Sequence, residues 1–194
     1  TEAMKTTWED IIHFWFEECT PKEWWSGAAA FDERIRSRFL ETHKQVVAGE
    51  SAAWRIIPKG RLAEIIVLDQ FSRNMFRGMP AAFASDPLAL ELAQEAVQGG
   101  CDKQLNNTEC QFLYMPFMHS ESQVVHEKAT LLFERLGDGQ GYEEDHKKII
   151  DRFGRYPHRN AIHDRTSSPE EVVFLQTHKG FSSPMRRGRK KKKL

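Results

Sequence analysis

The sequence predicts an all-α protein, and three observations support that prediction. Apolar residues recur with the 3.6-residue period of a helix through most of the chain. Pairs of a Ser or Thr and a Glu or Gln three residues later, which cap helix N-termini, precede several of these apolar runs. No segment shows the strict alternation of apolar and polar residues that is typical of a β-strand. We therefore expect about eight helices packed in antiparallel pairs.

The first helix is predicted by a single apolar stripe that runs from Trp8 to Cys19. Thr6 and Glu9 have the spacing of a capping box at its start. Pro21 is expected to end it, because proline cannot continue the backbone hydrogen bonds of a helix.

Three further helices are predicted before the middle of the chain. The second covers residues 31–46, and the third covers residues 62–71, which are apolar on most sides and therefore expected to be central. The fourth should begin with Asp86 as its N-cap and Pro87 in the first helical position. The glycines at residues 99–100 should end it.

Capping boxes predict the starts of three later helices, and one more apolar run predicts another helix. The three pairs are Thr108 with Gln111, Ser120 with Gln123, and Ser168 with Glu171. The apolar run covers residues 142–153 and ends at Gly154.

Charge is distributed unevenly along a chain whose formal net charge is zero. Residues 185–194 contain seven Lys or Arg and no acidic residue, so the rest of the chain carries about −7. We expect one helical domain, residues 1–181, and a basic tail, residues 182–194. The acidic domain is a poor candidate for binding a phosphate backbone. The basic tail is a good candidate for binding RNA or an acidic partner. A solvated end, a nuclear-localisation segment and a cloning remnant are the alternatives for the tail.

The three cysteines indicate a reducing compartment. They form no C-x-x-C pair and their number is odd, which argues against a disulfide framework. No apolar run approaches the ~18 residues of a membrane span, and the N-terminus lacks the pattern of a signal peptide. We expect a soluble cytoplasmic protein without membrane contact. The basic tail and the missing initiator Met leave a nuclear or organellar location as the alternative.

Three polar stretches do not fit an ordinary helix surface or core. They are LDQFSRNMFR at residues 68–77, LYMPFMHSE at residues 113–121 and RFGRYPHRN at residues 152–160. The first and third each place an Arg-Asn pair just after an aromatic-led helix end. We expect their polar side chains to converge on one site. The candidate ligand-binding residues are Asp69, Arg73, Asn74, Arg77, His119, Glu121, Arg155, His158, Arg159 and Asn160.

The chemistry of these side chains suits an anionic group. Arginine forks match carboxylate or phosphate oxygens in a bidentate manner, and asparagine amides add donors beside them. The other interpretation is an internal ion-pair network, because buried charges must be paired in any protein. A third alternative is a metal-independent enzyme for a small phosphorylated or carboxylate substrate. In that case His119 or His158 would be the acid or base, and Arg155 and Arg159 would clamp the oxyanion.

Several motifs occur in the same order as in a known family, which the chain resembles. The motifs are FWF at residues 14–16, WW at 24–25, FD at 31–32, LDQFSRN at 68–74, AFASDPLAL at 82–90, YMPFMHSE at 114–121, RFGRYPHRN at 152–160 and EE-x-x-FL at 170–175. Over about residues 11–181, the chain resembles the mainly bacterial family known as domain of unknown function 924. The resemblance implies an all-helical fold like the right-handed array of tetratricopeptide (TPR) repeats, and it implies no activity.

The chain departs from that family at one loop. Where members usually read Leu-Gly-Arg, this sequence has His163, Asp164 and Arg165. A tight glycine turn is therefore not expected at this position.

Sequence motifs for metals and nucleotides are incomplete. His126-Glu127 begins the H-E-x-x-H pattern of zinc proteases, but Thr130 stands in place of the second histidine. The chain also lacks the glycine-rich loops that bind phosphates and the G-x-S-x-G motif of hydrolases. We predict no metal site and no cofactor. The leading expectation is a binding or scaffold domain, within a larger assembly, that contacts a protein partner or a small anionic ligand through the polar site.

Overall fold

The computed structural model describes residues 3–137 and 140–181, and all regular structure in these ranges is helical. The helices are α1 (Trp8–His13), α2 (Pro21–Trp24), α3 (Ala29–Val47), α4 (Pro58–Ile66), α5 (Ser72–Met75), α6 (Ala81–Ala84), α7 (Asp86–Gln98), α8 (Asn107–His119), α9 (Gln123–Glu134), α10 (Gln140–Phe153) and α11 (Pro169–Thr177). Two π-helical turns, Phe14–Glu18 and Val67–Phe71, extend α1 and join α4 to α5. When adjoining pieces are joined, the described ranges contain about nine helices. The all-α prediction is confirmed.

One detail of the N-terminal prediction is wrong and another is incomplete. The capping box of α1 is formed by Thr7 and Asp10, one residue later than the predicted pair, with bonds of 3.3 and 2.9 Å. Pro21 begins α2 instead of only ending the helix before it, because Thr20 is the N-cap and Pro21 occupies the first helical position. A proline needs no hydrogen-bond partner for its nitrogen there, so the position favours it.

The central helix is longer than predicted. It begins at Pro58 and runs through the π-helical turn to Met75, so it contains all of residues 62–71. The helix packs against α1, α7 and α8, and residues 62–72 are almost entirely buried. Near its start, Gly60 allows a close approach, because a Cβ there would lie 2.0 Å from the Trp54 carbonyl oxygen.

The later helix starts were predicted with mixed success. The Ser168 box with Glu171 is confirmed as the cap of α11. The predicted cap of α8 is wrong, because Asn106 and Glu109 form its capping box. The cap of α9 is also wrong by two residues, since Ser122 provides it.

The start of α7 differs from the prediction in a way that matters for the polar region. The residue before the helix is Ser85, and Asp86 already belongs to it. The Asp86 carboxylate caps no backbone group and is bound instead by an arginine of α5.

The C-terminal helices have a small apolar cluster of their own. Helices α7, α8 and α9 each pack against the next one in the chain. The main apolar core is formed by residues of α1 through α9. A separate small cluster contains Ile149, Ile150 and Tyr156, with Phe153 and Phe174 packed against it. Polar contacts therefore join the loop after α10 to the rest of the chain, in addition to the packing of α10 on α9.

None of the helices in residues 3–137 and 140–181 has the length and apolar character needed to cross a membrane. The basic tail lies outside the described residues.

Candidate functional site

Two arginines from distant parts of the chain converge on Asp86. Arg73 of α5 donates from Nη1 to Oδ1 at 2.8 Å and from Nη2 to Oδ2 at 2.9 Å. Arg159 Nη1 lies 3.9 Å from the same Oδ2. Both guanidinium groups lie over the ring of Phe83, at 5.4 and 4.4 Å from its centre. The two Arg-Asn motifs of the sequence therefore meet through their arginines, at the start of α7.

Asp69 and His119 form a close pair beside this group. His119 Nδ1 lies 2.7 Å from Asp69 Oδ1, and Arg73 Nη1 is 3.3 Å from the same oxygen. Burial by itself would raise the pKa of Asp69, but Arg73 and His119 outweigh it and hold that pKa below its usual value. Burial, with Arg73 nearby, lowers the pKa of His119 despite the carboxylate. The neutral imidazole therefore donates from Nδ1 to Asp69 at neutral pH.

Arg159 is the most enclosed arginine of the polar region. Its guanidinium lies between two aromatic rings, 4.4 Å from the centre of Phe83 and 4.6 Å from that of Tyr156. Nη2 donates to the His119 carbonyl oxygen at 3.0 Å, whereas Nε is buried without a partner. The burial of the side chain lowers its pKa. Contact with two aromatic rings restrains the position of the guanidinium.

Asn74 and Arg77 belong to a separate cluster around Asp32 of α3. Arg77 donates from Nε at 2.7 Å and from Nη2 at 3.0 Å, and Asn74 Nδ2 donates at 2.8 Å. These three bonds join α3 to α5 and to the residues after it. They direct Asn74 and Arg77 to a different carboxylate from the one bound by Arg73.

Arg155 and Asn160 bind Glu171 of α11. Arg155 donates to its two oxygens at 2.7 and 3.0 Å and to the Thr166 carbonyl at 2.8 Å. Asn160 Nδ2 lies 3.3 Å from Glu171 Oε2. The hydrogen bonds from Arg155 are the main cause that lowers the pKa of Glu171 to about 2. Arg155 and Arg159 therefore bind different carboxylates.

Glu121 is bound by Arg165, a residue that the sequence analysis did not select. Arg165 donates two bonds to it, of 3.0 and 3.1 Å, and a third from Nε to Asn160 at 3.0 Å. The backbone N–H of Tyr156 also donates to Glu121 at 2.6 Å. Its pKa is lowered, since these bonds outweigh the effect of burial.

The turn before Arg165 corrects the expectation for this loop. Asp164 has a φ of 53°, in the left-handed region that usually favours glycine. A tight turn is therefore present without a glycine. Aspartate is one of the few side chains that tolerate this conformation.

His158 does not share the contacts of His119. Burial, followed by the charge of Arg159, lowers its pKa to about 3, so the imidazole is neutral in the physiological range. Its Nδ1 atom is buried and has no hydrogen-bond partner. A group with this pKa is poorly suited to proton transfer near neutral pH.

A buried pair of His126 and Glu143 was not predicted from the sequence. His126 Nδ1 lies 2.6 Å from Glu143 Oε1, and its Nε2 lies 2.6 Å from the Ser120 carbonyl. Both side chains are almost fully buried, and they join α9 to α10. The sequence carried no spacing that pairs the two residues, which are 17 positions apart.

Within residues 3–137 and 140–181, no group of three or more His, Cys, Asp or Glu side chains is placed to hold a metal ion. Two shallow surface depressions lie away from the polar region. One is lined by residues from Lys22 to Arg34, and the other by residues of α1 and α3. The three cysteines are free and buried.

Comparisons with known proteins place this architecture in a family. The model of a bacterial protein family of unknown function, DUF924, matches residues 11–179. The chain belongs to the DUF924 family. It is also similar to a solved structure of a protein of unknown function, ATU0120 from Agrobacterium tumefaciens, with 37% sequence identity and a TM-score of 0.85. That match covers 88% of this chain and 97% of the other. Among curated proteins, no sequence matches the chain significantly.

Proposed function

We propose that this DUF924 protein is a helical binding or scaffold protein, and that its polar region is an internal network holding the C-terminal helices on the core. One observation carries the proposal: four arginines of the region already have a carboxylate of the chain as partner. Their pairs are Arg73 with Asp86, Arg77 with Asp32, Arg155 with Glu171, and Arg165 with Glu121.

The network is well placed for this role. The pair of Arg165 and Glu121 connects the loop after α10 to the short connection between α8 and α9, and Arg159 reaches the carbonyl of His119. The apolar cluster beneath these contacts is small. A rigid C-terminal region would give a partner protein a fixed surface to bind.

The arrangement of the helices supports a TPR-like array within residues 1–181. The consecutive helices α7, α8 and α9 each pack against the next, as they do in stacked helical hairpins. The right-handed sense of the array is part of this proposal. We place the protein in the cytoplasm, since its three cysteines are free thiols; a nuclear or organellar location is the alternative.

The basic tail would add an electrostatic contact to the scaffold, with RNA as the partner. Seven Lys or Arg in residues 185–194 can neutralise up to seven phosphates. The binding constant for single-stranded RNA should therefore fall with salt concentration, and a plot of its logarithm against the logarithm of the salt concentration should have a slope between zero and about −5. Fluorescence anisotropy with a labelled RNA oligonucleotide tests this contact. The control is a chain that ends at residue 181, which should not bind. Equal binding by both chains would contradict the role of the tail, and tighter binding of a poly-glutamate peptide would identify an acidic protein as the partner.

The proposal for the network has its own test. If the arginines only stabilise the fold, inorganic phosphate at millimolar concentration should not bind the chain. Arg155→Gln should then lower the free energy of unfolding and leave phosphate binding unchanged. Calorimetric titration and urea unfolding measure the two quantities. Phosphate binding that Arg155→Gln abolishes would refute the internal role of this pair.

The enzyme alternative has one supporting observation, which is the pair of His119 and Asp69. A carboxylate 2.7 Å from Nδ1 orients an imidazole so that its other nitrogen can accept a proton, as in catalytic His-Asp pairs. Arg73, 3.3 Å from the same carboxylate, would then lie near an anionic substrate. Turnover of p-nitrophenyl phosphate or p-nitrophenyl acetate that His119→Asn abolishes would support this alternative. Equal rates in the wild type and the variant would remove it.

A further inference from the structure

The imidazole of His126 on α9 faces an oxygen acceptor at each of its two nitrogens. Nδ1 lies 2.6 Å from Glu143 Oε1 of α10, and Nε2 lies 2.6 Å from the carbonyl oxygen of Ser120. The side chains of His126 and Glu143 are 0% and 2% exposed, so water does not take the place of either contact. A contact of this length between a nitrogen and an oxygen is a hydrogen bond and needs a hydrogen between the two atoms.

The hydroxyl group of Tyr156 indicates that Nε2 carries a proton. It donates its single hydrogen to the Met118 carbonyl oxygen at 2.5 Å. The same hydroxyl oxygen lies 3.1 Å from His126 Nε2, where it can only accept. Two acceptors, the Ser120 carbonyl and the Tyr156 hydroxyl, therefore face Nε2, and both are satisfied by an N–H at that nitrogen.

The contact between Nδ1 and Glu143 requires a second proton. When Nε2 of a neutral imidazole is protonated, Nδ1 has only a lone pair. A lone pair 2.6 Å from an ionised carboxylate oxygen would be repelled by it. The contact is attractive when one proton lies between the two atoms, on Nδ1 of an imidazolium or on Oε1 of a carboxylic acid. Either way the pair holds two protons and has no net charge.

Glu143 depends on this shared proton. In the part of the chain that the structure describes, its other oxygen, Oε2, is buried without a hydrogen-bond partner. Lys147, one turn later on α10, binds Asp151 at 2.6 Å instead. Burial raises the pKa of Glu143, against the opposing effect of His126. Without the shared proton, a buried carboxylate would lack any hydrogen bond, which is costly.

We propose that this pair makes the packing of α10 on α9 sensitive to pH, because the packed state holds two protons on the pair and the separated state holds one at neutral and alkaline pH. The pair joins the two helices directly, and its partners Ser120 and Tyr156 lie before α9 and after α10. One proton is thus shared at the junction of the C-terminal helices.

The direction of the effect follows from proton counting. In water a glutamate is ionised above about pH 4.3, and a histidine is neutral above about pH 6.5. Packing of α10 therefore takes up one proton from solution above about pH 6.5. The stabilisation is fully present between about pH 4.3 and 6.5 and is lost as the pH rises further. This is the sign for a site that binds its proton more strongly in the folded chain.

The other titratable groups around the pair keep their protonation between about pH 7 and pH 9. Carboxylates are ionised, lysines and arginines are charged, and histidines are mostly neutral in this range. Burial also lowers the pKa of His146 and raises the pKa of Tyr156, which moves both further from it. The groups are His119 on α8, Glu121 between α8 and α9, Glu127 on α9, His146, Lys147 and Asp151 on α10, and Tyr156, His158 and Arg159 after α10.

This pH dependence goes beyond the scaffold role and uses none of the arginine pairs. Its failure would leave the scaffold proposal intact, because RNA binding by the tail and the stability of the Arg155 pair test that proposal separately.

The experiment is urea unfolding of the full-length chain and of Glu143→Gln, followed by circular dichroism from about pH 7 to pH 9. A glutamine amide can donate to Nδ1 of a neutral His126, so this variant needs no second proton. The unfolding equilibrium constant of the wild type, divided by that of Glu143→Gln, should rise about tenfold per pH unit. The division cancels groups common to both chains, including the three thiols. Glu144→Gln, at an exposed neighbouring position of α10, is the matched control, and its ratio to the wild type should stay constant.

NMR of the wild type covers the case in which Glu143→Gln does not fold. Nitrogen signals of His126 and the side-chain carbon signal of Glu143 should together show two protons on the pair at about pH 7.5. The proposal is overturned by a neutral imidazole beside an ionised Glu143 at that pH. It is equally overturned by a ratio to Glu143→Gln that does not change with pH, or by the same change in Glu144→Gln.

Discussion

Arg73 binds Asp86 through two parallel N–H···O bonds, although the residues belong to different helices and neither side chain is more than 18% exposed. Removing one partner of an enclosed pair leaves an uncompensated charge. We expect Asp86→Ala to lower the free energy of unfolding by about 3 kcal/mol, because Arg73 and Arg159 then repel each other. Urea unfolding followed by circular dichroism measures the change.

A solvent-exposed pair provides the comparison for that measurement. Glu33 and Arg36 are 2.7 Å apart on the surface of α3, and Glu33→Ala should cost less than about 0.5 kcal/mol. The double variant Arg73→Met with Asp86→Leu should recover part of the loss. Equal effects of Asp86→Ala and Glu33→Ala would contradict the importance of the enclosed pair.

Glu171 should make stability depend on pH in the acid range. Its pKa is lowered from 4.5 to about 2, first by hydrogen bonds from Arg155. The folded chain therefore favours the carboxylate, so this contribution is fully present above pH 4.5 and is lost as the pH falls toward about 2. The stability difference between the wild type and Glu171→Gln should shrink as the pH falls through this range. A difference that stays constant with pH would show that the charge of Glu171 contributes nothing.

Asp164 should be replaceable by glycine but not by alanine. Its φ of 53° costs an ordinary L-residue about 1–2 kcal/mol. We expect Asp164→Gly to be about 1 kcal/mol more stable than Asp164→Ala, since only glycine adopts this conformation without strain. Thermal unfolding of the two variants gives the comparison. Ala161 has no positive φ and serves as the control. If glycine were also more stable than alanine at position 161, the cause would not be the conformation of the turn.

The three thiols should be unreactive in the folded protein. Burial is the main cause that raises the pKa of Cys19 and of Cys110 to about 11, and it also raises the pKa of Cys101. At pH 8 few thiolates are present and none is accessible. Ellman's reagent should therefore modify no cysteine quickly in buffer and all three in denaturant. Fast modification of one thiol in buffer would show local opening at that residue.

The sequence predicted the helices well because apolar periodicity is a local property. The stripe from Trp8 to Cys19 and the all-round apolar character of residues 62–71 both reflect burial that the structure shows. Cap positions were less accurate, as at Thr7 and Asn106, because neighbouring residues offer almost equal capping spacings. The TPR-like handedness that we propose would depend on how the helices pack, which no local pattern encodes.

Site residues were predicted as types and not as partners. The sequence selected Arg73, Arg159 and His119, which the structure brings together near Asp69. It did not select Asp86 as a site residue, because an aspartate after a serine and before a proline is an ordinary sequence at the start of a helix. Ion pairing between residues tens of positions apart depends on tertiary distances, so only the excess of basic residues was visible in the sequence. Arg165 was not predicted as a site residue, because the absence of glycine was the only feature of this loop that was interpreted.

The Arg159 contact with His119 joins residues 40 positions apart, and this separation has a consequence for synthesis of the protein. When a ribosome has released α1 to α9 but not the later loop, Asp86 can bind Arg73, while Glu121 still lacks Arg165 and the His119 carbonyl still lacks Arg159. The loop of residues 155–165 emerges later and must settle on an already folded surface. A ribosome that pauses before this loop has emerged therefore carries a chain whose main apolar core can form before the ion pair of Arg165 and Glu121.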